Sequence, residues 1–214
     1  FVEAEPSQGG RDCLSISESE NWVCGWCTIN ADPLEDVACI RKIDLGGNES
    51  IRRTWPNIEL FNAVNQVEDG NLLVGGSRVS TIDRSVLMKV NSQGEAIWTR
   101  YLGGYASYSG ISGNTTLLSN GNYLVPGSYV PQDSVDVDER CFACLYCYSP
   151  AGDLLWRKDL VWGRLASAVL SRVAGDDEYW VSGGYYQVPR DPDAATTIWR
   201  VNNDGDTLYS RKYW

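Results

Sequence analysis

The sequence predicts an all-β protein, a β-propeller of four tandem four-stranded blades that occupies residues 1–214 as one domain. One strand-like element recurs four times, and a second element with a glycine turn follows each copy. No stretch shows apolar residues at the 3.6-residue spacing of an amphipathic helix. Regular repetition is the signature of a repeat fold. About four short strands per repeat is the content of one propeller blade.

The first repeated element is a run of β-branched, aromatic and aliphatic residues that ends in glycine. Its copies read NWVCG, LLVGG, YLVPG and YWVSG, and the closing glycines are 51, 51 and 56 residues apart. Residues of these types are enriched in strands. Each copy therefore predicts one strand of a blade.

The second repeated element reads as a strand, a turn and a strand. Its turn glycines are Gly47, Gly94, Gly152 and Gly205. Glycine supplies the positive φ that such turns need. Four residues later stand Ile51, Trp98, Trp156 and Tyr209, and two residues beyond these a basic residue always follows. Large side chains that recur at one repeat position favour packing between blades. We expect the basic residues either to pair with carboxylates or to face an anion.

The spacing of the elements places the repeats at approximately 11–50, 51–97, 98–155 and 156–206. The chain then starts in the second strand of a blade and ends in a lone strand, 207–214. A terminal strand that completes the first blade removes two exposed edges and closes a four-bladed ring. The alternative is that the four repeats form half of a larger ring.

The pattern of Asn, a glycine turn and an aromatic four residues on, as in VNSQGEAIW at 90–98, resembles the tryptophan-docking repeat of quinoprotein-like (PQQ-like) propellers. The resemblance covers all four repeats and implies a propeller fold. It also implies one of two activities, a quinone-dependent dehydrogenase or a non-enzymatic scaffold such as the lipoprotein of the outer-membrane barrel-assembly machinery. The enzymes carry adjacent cysteines beside their cofactor, and this sequence has none.

Composition excludes several functions. The net charge of -10 and a pI of about 4.5 disfavour nucleic acid as a partner. No apolar stretch is long enough to predict a membrane span, and nothing at the first residue resembles a signal peptide. Because the chain has no His, Ser-His-Asp and Cys-His nucleophile systems and His-ligated metals are excluded. A pair of carboxylates can hydrolyse glycosides, but no two acids stand out as a pair.

Seven cysteines favour an oxidising compartment, so we expect an extracellular, cell-surface or periplasmic location. Hairpin pairing predicts two disulfides, Cys13–Cys24 and Cys27–Cys39. Repeat alignment places Cys144 and Cys147 in the core and leaves Cys141 outside it as the candidate for an intermolecular link. The C-x-x-C spacings can bind zinc or an iron–sulfur cluster, but strand alternation points residues i and i+3 to opposite faces.

Acidic residues concentrate in the loops that we assign between the third and fourth strands, at 28–37, 79–85, 129–140 and 186–195. Equivalent loops of a propeller emerge on one face, so an acidic rim is predicted. Clustered carboxylates hold Ca²⁺ or attract a basic partner, and the alternative is a solvated face that maintains solubility. The rim comprises Asp32, Glu35, Asp36, Asp83, Asp133, Asp136, Asp138, Glu139, Asp191 and Asp193.

These observations predict a non-enzymatic, extracytoplasmic propeller that acts as a protein-interaction or structural assembly module. Calcium on the acidic rim is the one cofactor considered. The first alternative is a carbohydrate-binding or carbohydrate-cleaving propeller that uses Trp26, Trp162 and Tyr186. The second is a fragment of a quinoprotein-like dehydrogenase.

Overall fold

The computed structural model describes residues 8–15, 20–31, 34–67, 70–78, 85–102, 115–129, 140–175, 177–186 and 194–213. These residues are all-β. The strands are β1 (Gln8–Ser15), β2 (Asn21–Ala31), β3 (Leu34–Ile43), β4 (Glu49–Trp55), β5 (Leu60–Gln66), β6 (Leu72–Ser77), β7 (Ser85–Val90), β8 (Ala96–Leu102), β9 (Thr116–Leu117), β10 (Tyr123–Tyr129), β11 (Arg140–Tyr148), β12 (Leu154–Gly175), β13 (Glu178–Tyr186), β14 (Ala194–Asn202) and β15 (Thr207–Tyr213). Within the described part of the chain, no helix is long and apolar enough to cross a membrane.

The strands form antiparallel sheets in chain order. β1–β4 and β5–β8 each form a four-stranded sheet, and β9–β15 form a sheet of seven strands. The long strand β12 is shared: its first part pairs with β11, and its second part, from Arg164 onward, pairs with β13. The described part of the chain therefore contains four successive four-stranded units, here called the first to fourth units.

The glycine turns join the third and fourth strands of each unit. In each turn the glycine N–H donates to a carbonyl three residues earlier, as in Gly47 N to Asp44 O at 3.0 Å. We call these turns the glycine hairpins of Gly47, Gly94, Gly152 and Gly205. Because a tight turn returns the chain beside the strand it left, the strand after each hairpin completes its own unit rather than opening the next one.

This arrangement corrects the predicted phase of the repeats. The prediction that the terminal strand completes the first blade is wrong, because β15 pairs with β14 at the edge of the fourth unit. No closed ring forms among the described residues. The segments predicted as loops between the third and fourth strands lie between the second and third strands of each unit, and 28–37 is mostly strand, because β2 ends at Ala31 and β3 begins at Leu34.

Apolar clusters lie between successive units. Trp22 and Ile40 of the first unit pack with Phe61 and Val74 of the second. Leu73 of the second packs with Tyr146 of the third in the next cluster. A further cluster joins the third and fourth units, and it contains Leu124, Leu145, Tyr179, Val181 and Trp199.

The two inner units bury both faces of their sheets. In β6, Val74 faces the first unit while its neighbour Leu73 faces the third, and both are completely buried. Successive strand residues point to opposite faces. This is why these strands read as continuous apolar runs in the sequence.

Candidate functional site

Each glycine hairpin of the later units is covered by a large side chain of the preceding unit. Trp98 of β8 lies over Gly152, where a Cβ would fall 2.8 Å from the indole. The indole Nε1 donates to Pro150 O at 3.1 Å, and Arg100 Nε donates to Gly152 O at 2.7 Å. Glycine is required here because the indole occupies the space of a side chain.

The junction between the third and fourth units repeats this contact. Trp156 lies over Gly205, with a Cβ position 2.6 Å from the ring, and Lys158 Nζ is 2.9 Å from Asp206 Oδ1. At the first junction Ile51 and Arg53 approach Gly94 in the same way. The predicted role of Trp98 and Trp156 in packing between units therefore matches their positions.

Between the second and third units a cleft of about 600 Å³ opens beside the Gly152 hairpin. Its lining includes two arginines and four tyrosines: Arg100, Tyr101, Tyr129, Tyr146, Tyr148 and Arg157. Tyr146 and Tyr148 are almost fully buried, whereas Tyr101 is 48% exposed. The tyrosine rings thus form the floor and the rim of one cleft.

Arginines stack on the tyrosines of this cleft. The Arg157 guanidinium lies 3.7 Å from the centre of the Tyr129 ring, and Asp159 pairs with it at 3.0 Å. The Arg78 guanidinium lies 4.4 Å from the centre of the Tyr101 ring. Stacking on an aromatic face holds the planar guanidinium in a fixed orientation. The buried Arg78 Nε has no hydrogen-bond partner in the structure as described.

The titratable groups beneath the cleft are held neutral. Burial raises the pKa of the Cys144 thiol to about 12, and a hydrogen bond with Tyr146 opposes this only in part. Burial likewise raises the pKa values of the Tyr146 and Tyr148 hydroxyls above their ordinary range. At neutral pH these three buried groups are therefore a thiol and two hydroxyls, without thiolate or phenolate.

The cysteines follow the sequence prediction in part. Cys27 and Cys39 form a disulfide with a Cα–Cα distance of 6.0 Å, on a diagonal pair of the β2–β3 ladder. Cys13 and Cys24 are thiols, so the predicted second disulfide is wrong. Cys13 pairs with Val23, and Cys24 pairs with residue 12, which places the two thiols on opposite faces of the sheet.

The proposed intermolecular role of Cys141 is also wrong. Its side chain is completely buried in the cluster between the third and fourth units, so it cannot reach another chain. Cys147 lies in the same cluster, whereas Cys144 faces the second unit. Strand alternation therefore separates Cys144 from the other two, as expected for a C-x-x-C spacing in a strand.

Most of the acidic rim lies outside the described residues. This applies to Asp32, Asp83, Asp133, Asp136, Asp138, Glu139, Asp191 and Asp193, and to the side chain of Glu35. Asp36 is described, and its carboxylate accepts a hydrogen bond from Thr28 Oγ1 at 2.5 Å. The rim and its calcium site therefore stay predictions.

Two of the aromatics of the carbohydrate alternative, Trp26 and Trp162, lie in different units, the first and the third. Trp162 is 37% exposed, and its ring centre is 4.5 Å from that of Phe142. Trp26 lies beside a small pocket with Asp36 and Glu59. The side chain of Tyr186 is outside the described residues.

Sequence reasoning missed the cleft. Tyr129, Tyr146 and Arg157 occupy different strands and different positions of the repeat. The repeat pattern therefore did not point to these residues, although the sequence shows that residues 123–148 are rich in tyrosine.

Comparison with known proteins finds solved structures of similar fold but identifies no function. No protein-family profile matches the sequence, and no curated protein matches it significantly. A solved protein of unknown function from Bacteroides caccae is 17% identical with a TM-score of 0.52, and the match covers 89% of this chain and 61% of that one. One from Dyadobacter fermentans, also of unknown function, is 13% identical with a TM-score of 0.60, covering 87% of this chain and 51% of that one.

BamB from Moraxella catarrhalis is also similar, at 10% identity and a TM-score of 0.37, with 94% of this chain and 75% of that one covered. That score is too low to carry an argument. The chain spans 61% and 51% of the first two similar structures. At such identities the likeness concerns the fold alone.

Proposed function

We propose that the chain is a propeller-type scaffold that works outside the cytoplasm and binds a protein segment in the cleft between its second and third units. The observation that carries this proposal is the lining of the cleft, with four tyrosines and two arginines. Tyrosine and arginine are enriched at protein interfaces and among the residues that dominate binding energy.

The sheets and the disulfide support the scaffold and its location. Four successive antiparallel four-stranded units that pack face to face are what consecutive propeller blades provide. The Cys27–Cys39 disulfide favours an oxidising compartment, since disulfides persist there and are rare in the cytosol.

The chemistry of the cleft favours binding over catalysis. A nucleophilic cysteine needs a lowered pKa, whereas burial raises that of Cys144 to about 12. The arginines, in contrast, are well placed for recognition. Arg157, which lines the cleft, is held by Tyr129 and Asp159, and Arg100, which also lines it, is held by Gly152 O. These donors and rings fit a segment that offers aromatic or apolar side chains together with carboxylate or carbonyl acceptors.

A random peptide library displayed on phage, selected on the purified chain, tests this proposal. Selected peptides should bind at least about tenfold more weakly to Tyr101→Ala, because truncating a central interface aromatic removes about 1.4 kcal/mol or more of binding free energy. Tyr213→Ala is the matched control, since Tyr213 is 44% exposed and Tyr101 is 48% exposed, and only Tyr101 lines the cleft.

Failure to select any peptide, or equal weakening by both substitutions, would contradict the cleft as a peptide site. Binding to a glycan array without peptide binding would favour the carbohydrate alternative. The exposed Trp162, with Phe142 against it, is the stacking surface that supports that alternative.

A further inference from the structure

The four glycine hairpins share one geometry but differ in what covers them. The glycine φ values are +82°, +75°, +86° and +76° at Gly47, Gly94, Gly152 and Gly205. The last three glycines are buried beneath a residue of the preceding unit, whereas Gly47 is exposed. No atom of the described residues lies within 4 Å of the position where a Cβ on Gly47 would stand. The first unit thus presents a hairpin of the docking type on which none of the described residues is docked.

The fourth unit presents the opposite half of the same contact. Tyr209 stands where Trp98 and Trp156 stand in the preceding units, yet it is 46% exposed. Arg211 follows it at the position of Arg100 and Lys158 and is exposed as well. Both side chains are therefore exposed in the structure as described.

The face around Tyr209 matches the faces that are buried in the other units. Trp180 stands at the repeat position of Trp22, Leu73 and Leu124, which are 2%, 0% and 0% exposed, whereas Trp180 is 37% exposed. Trp180 pairs with Arg200, and Arg200 pairs with Tyr209, so the three side chains form one row on one face. The ring centres of Trp180 and Tyr209 are 6.4 Å apart. We call Trp180, Arg200, Tyr209 and Arg211 the terminal face.

We propose that the terminal face of one copy docks on the Gly47 hairpin of a second copy, so that chains associate head to tail. The internal junctions define the contact: Tyr209 would cover Gly47 as Trp156 covers Gly205, and Arg211 would approach the hairpin as Lys158 approaches Asp206. A second copy is the occupant because it carries the uncovered hairpin, whereas the chain's own Gly47 is not in contact with Tyr209.

Charge supports the same pairing. Asp44 lies in the Gly47 hairpin, and hydrogen bonds from the Asn48 side chain and backbone lower its pKa, so it is ionised at neutral pH. The terminal face brings Arg211 to this hairpin. Because the two halves of the contact lie on different surfaces, the interface is heterologous, and it builds rows or larger rings of copies rather than closed pairs. The cleft between the second and third units is not part of it.

Sedimentation velocity of the full chain over about a hundredfold range of concentration tests the proposal. The wild-type chain should exceed the mass of two copies as concentration rises. Tyr209→Ala should weaken association about 30-fold, the usual effect of truncating a dominant interface aromatic. Leu208→Ala is the matched control: Leu208 is 51% exposed and Tyr209 is 46% exposed, and Leu208 is not one of the residues of the terminal face. It should associate as the wild type does.

The Gly47→Asn variant tests the hairpin side of the proposed contact. Asn tolerates positive φ, and its side chain would occupy the space into which Tyr209 docks. Gly121→Asn is the control for backbone strain, because Gly121 has φ +83° and nothing within 4 Å of its Cβ position in the described structure. Both variants should lose similar stability, and Gly47→Asn alone should lose association.

Mixing the two variants gives the sharpest test. Tyr209→Ala retains its Gly47 hairpin, and Gly47→Asn retains its terminal face, so an equimolar mixture should form pairs and nothing larger. A wild-type chain that keeps the mass of one copy at every concentration would overturn the proposal, and this includes closure of the ring within one chain. A mixture that fails to form pairs would overturn it as well.

Discussion

The contact between Trp98 and Gly152 predicts that two glycines of equal conformation respond differently to alanine. Gly152 has φ +86° and a Cβ position 2.8 Å from the Trp98 ring, whereas Gly121 has φ +83° and nothing described within 4 Å. Each donates its N–H across its turn at 2.9 Å. An added Cβ therefore strains the backbone at both glycines, but among the described residues it overlaps a neighbouring side chain only at Gly152.

The expected losses of stability follow from the backbone strain and the steric overlap. A left-handed conformation costs an L-residue about 1–2 kcal/mol, so Gly121→Ala should lower the free energy of unfolding by that amount. Gly152→Ala adds the cost of overpacking, about 1–3 kcal/mol, for a total of about 2–5 kcal/mol. For a chain of 214 residues, each kcal/mol lowers the melting temperature by about 2–4 °C.

The assay is a double-mutant cycle by urea and thermal unfolding. In a Trp98→Ala background the overlap is gone, so Gly152→Ala should cost only the strain of about 1–2 kcal/mol. Gly121→Ala should cost the same in both backgrounds. Equal losses at the two glycines in the wild-type background, or an effect of Gly152→Ala that is unchanged without the indole, would refute the docking argument.

The disulfide and the pH dependence give two further predictions. Cys27→Ala/Cys39→Ala should lower the free energy of unfolding by about 3 kcal/mol, from the loop entropy of a sequence separation of 12, and an unchanged urea midpoint would contradict this. Hydrogen bonds from Ser119 and then Asn203 lower the pKa of Asp177 below 3.8. Since a depressed carboxyl pKa contributes stability above its unfolded value and loses it as pH falls through its folded value, Asp177→Asn should flatten the fall in melting temperature below about pH 4. Equal acid profiles for the variant and the wild type would rule this out.

The sequence predicted the strands and hairpins because their signals are local. Gly94 and Gly205 have φ of +75° and +76°, which is the left-handed conformation that glycine adopts in turns. The apolar runs before each turn are buried strands. Turn chemistry and strand composition act over a few residues, so one sequence is enough to locate them.

The boundaries between units could not be predicted in the same way. A repeat period has no intrinsic starting point, so every cyclic shift of the strand assignment fits the same spacing. The decisive features are pairings, such as Arg200 with Tyr209 within one unit. At the third boundary β12 passes from one unit to the next without a break in the strand, and Gly163, the glycine beside the crossing, lies within that strand and not in a turn.

The two wrong predictions about cysteines have a similar cause, which is the extent and the pairing of the strands. Cys141 was placed outside the core because it precedes the positions that the repeat alignment assigned to the core, but β11 begins at Arg140 and includes it. Alternation then places Cys141 on the face of Cys147, inside the core. The Cys13–Cys24 error is one of register, since a shift of one residue moves a side chain to the opposite face of the sheet.

One residue position serves both folding and the proposed assembly. Trp98 and Trp156 cover the glycine hairpin of the next unit, and Tyr209, at the same repeat position, is exposed. The Trp98–Gly152 junction includes a hydrogen bond from the indole Nε1 to Pro150 O at 3.1 Å. The smaller tyrosine ring has no indole N–H to make this bond. The contact between Tyr209 and Gly47 therefore lacks a hydrogen bond that the contact between Trp98 and Gly152 has. Because association also loses translational and rotational entropy, the head-to-tail contact must be weaker than an internal junction, and assembly must depend on concentration while the internal junctions do not.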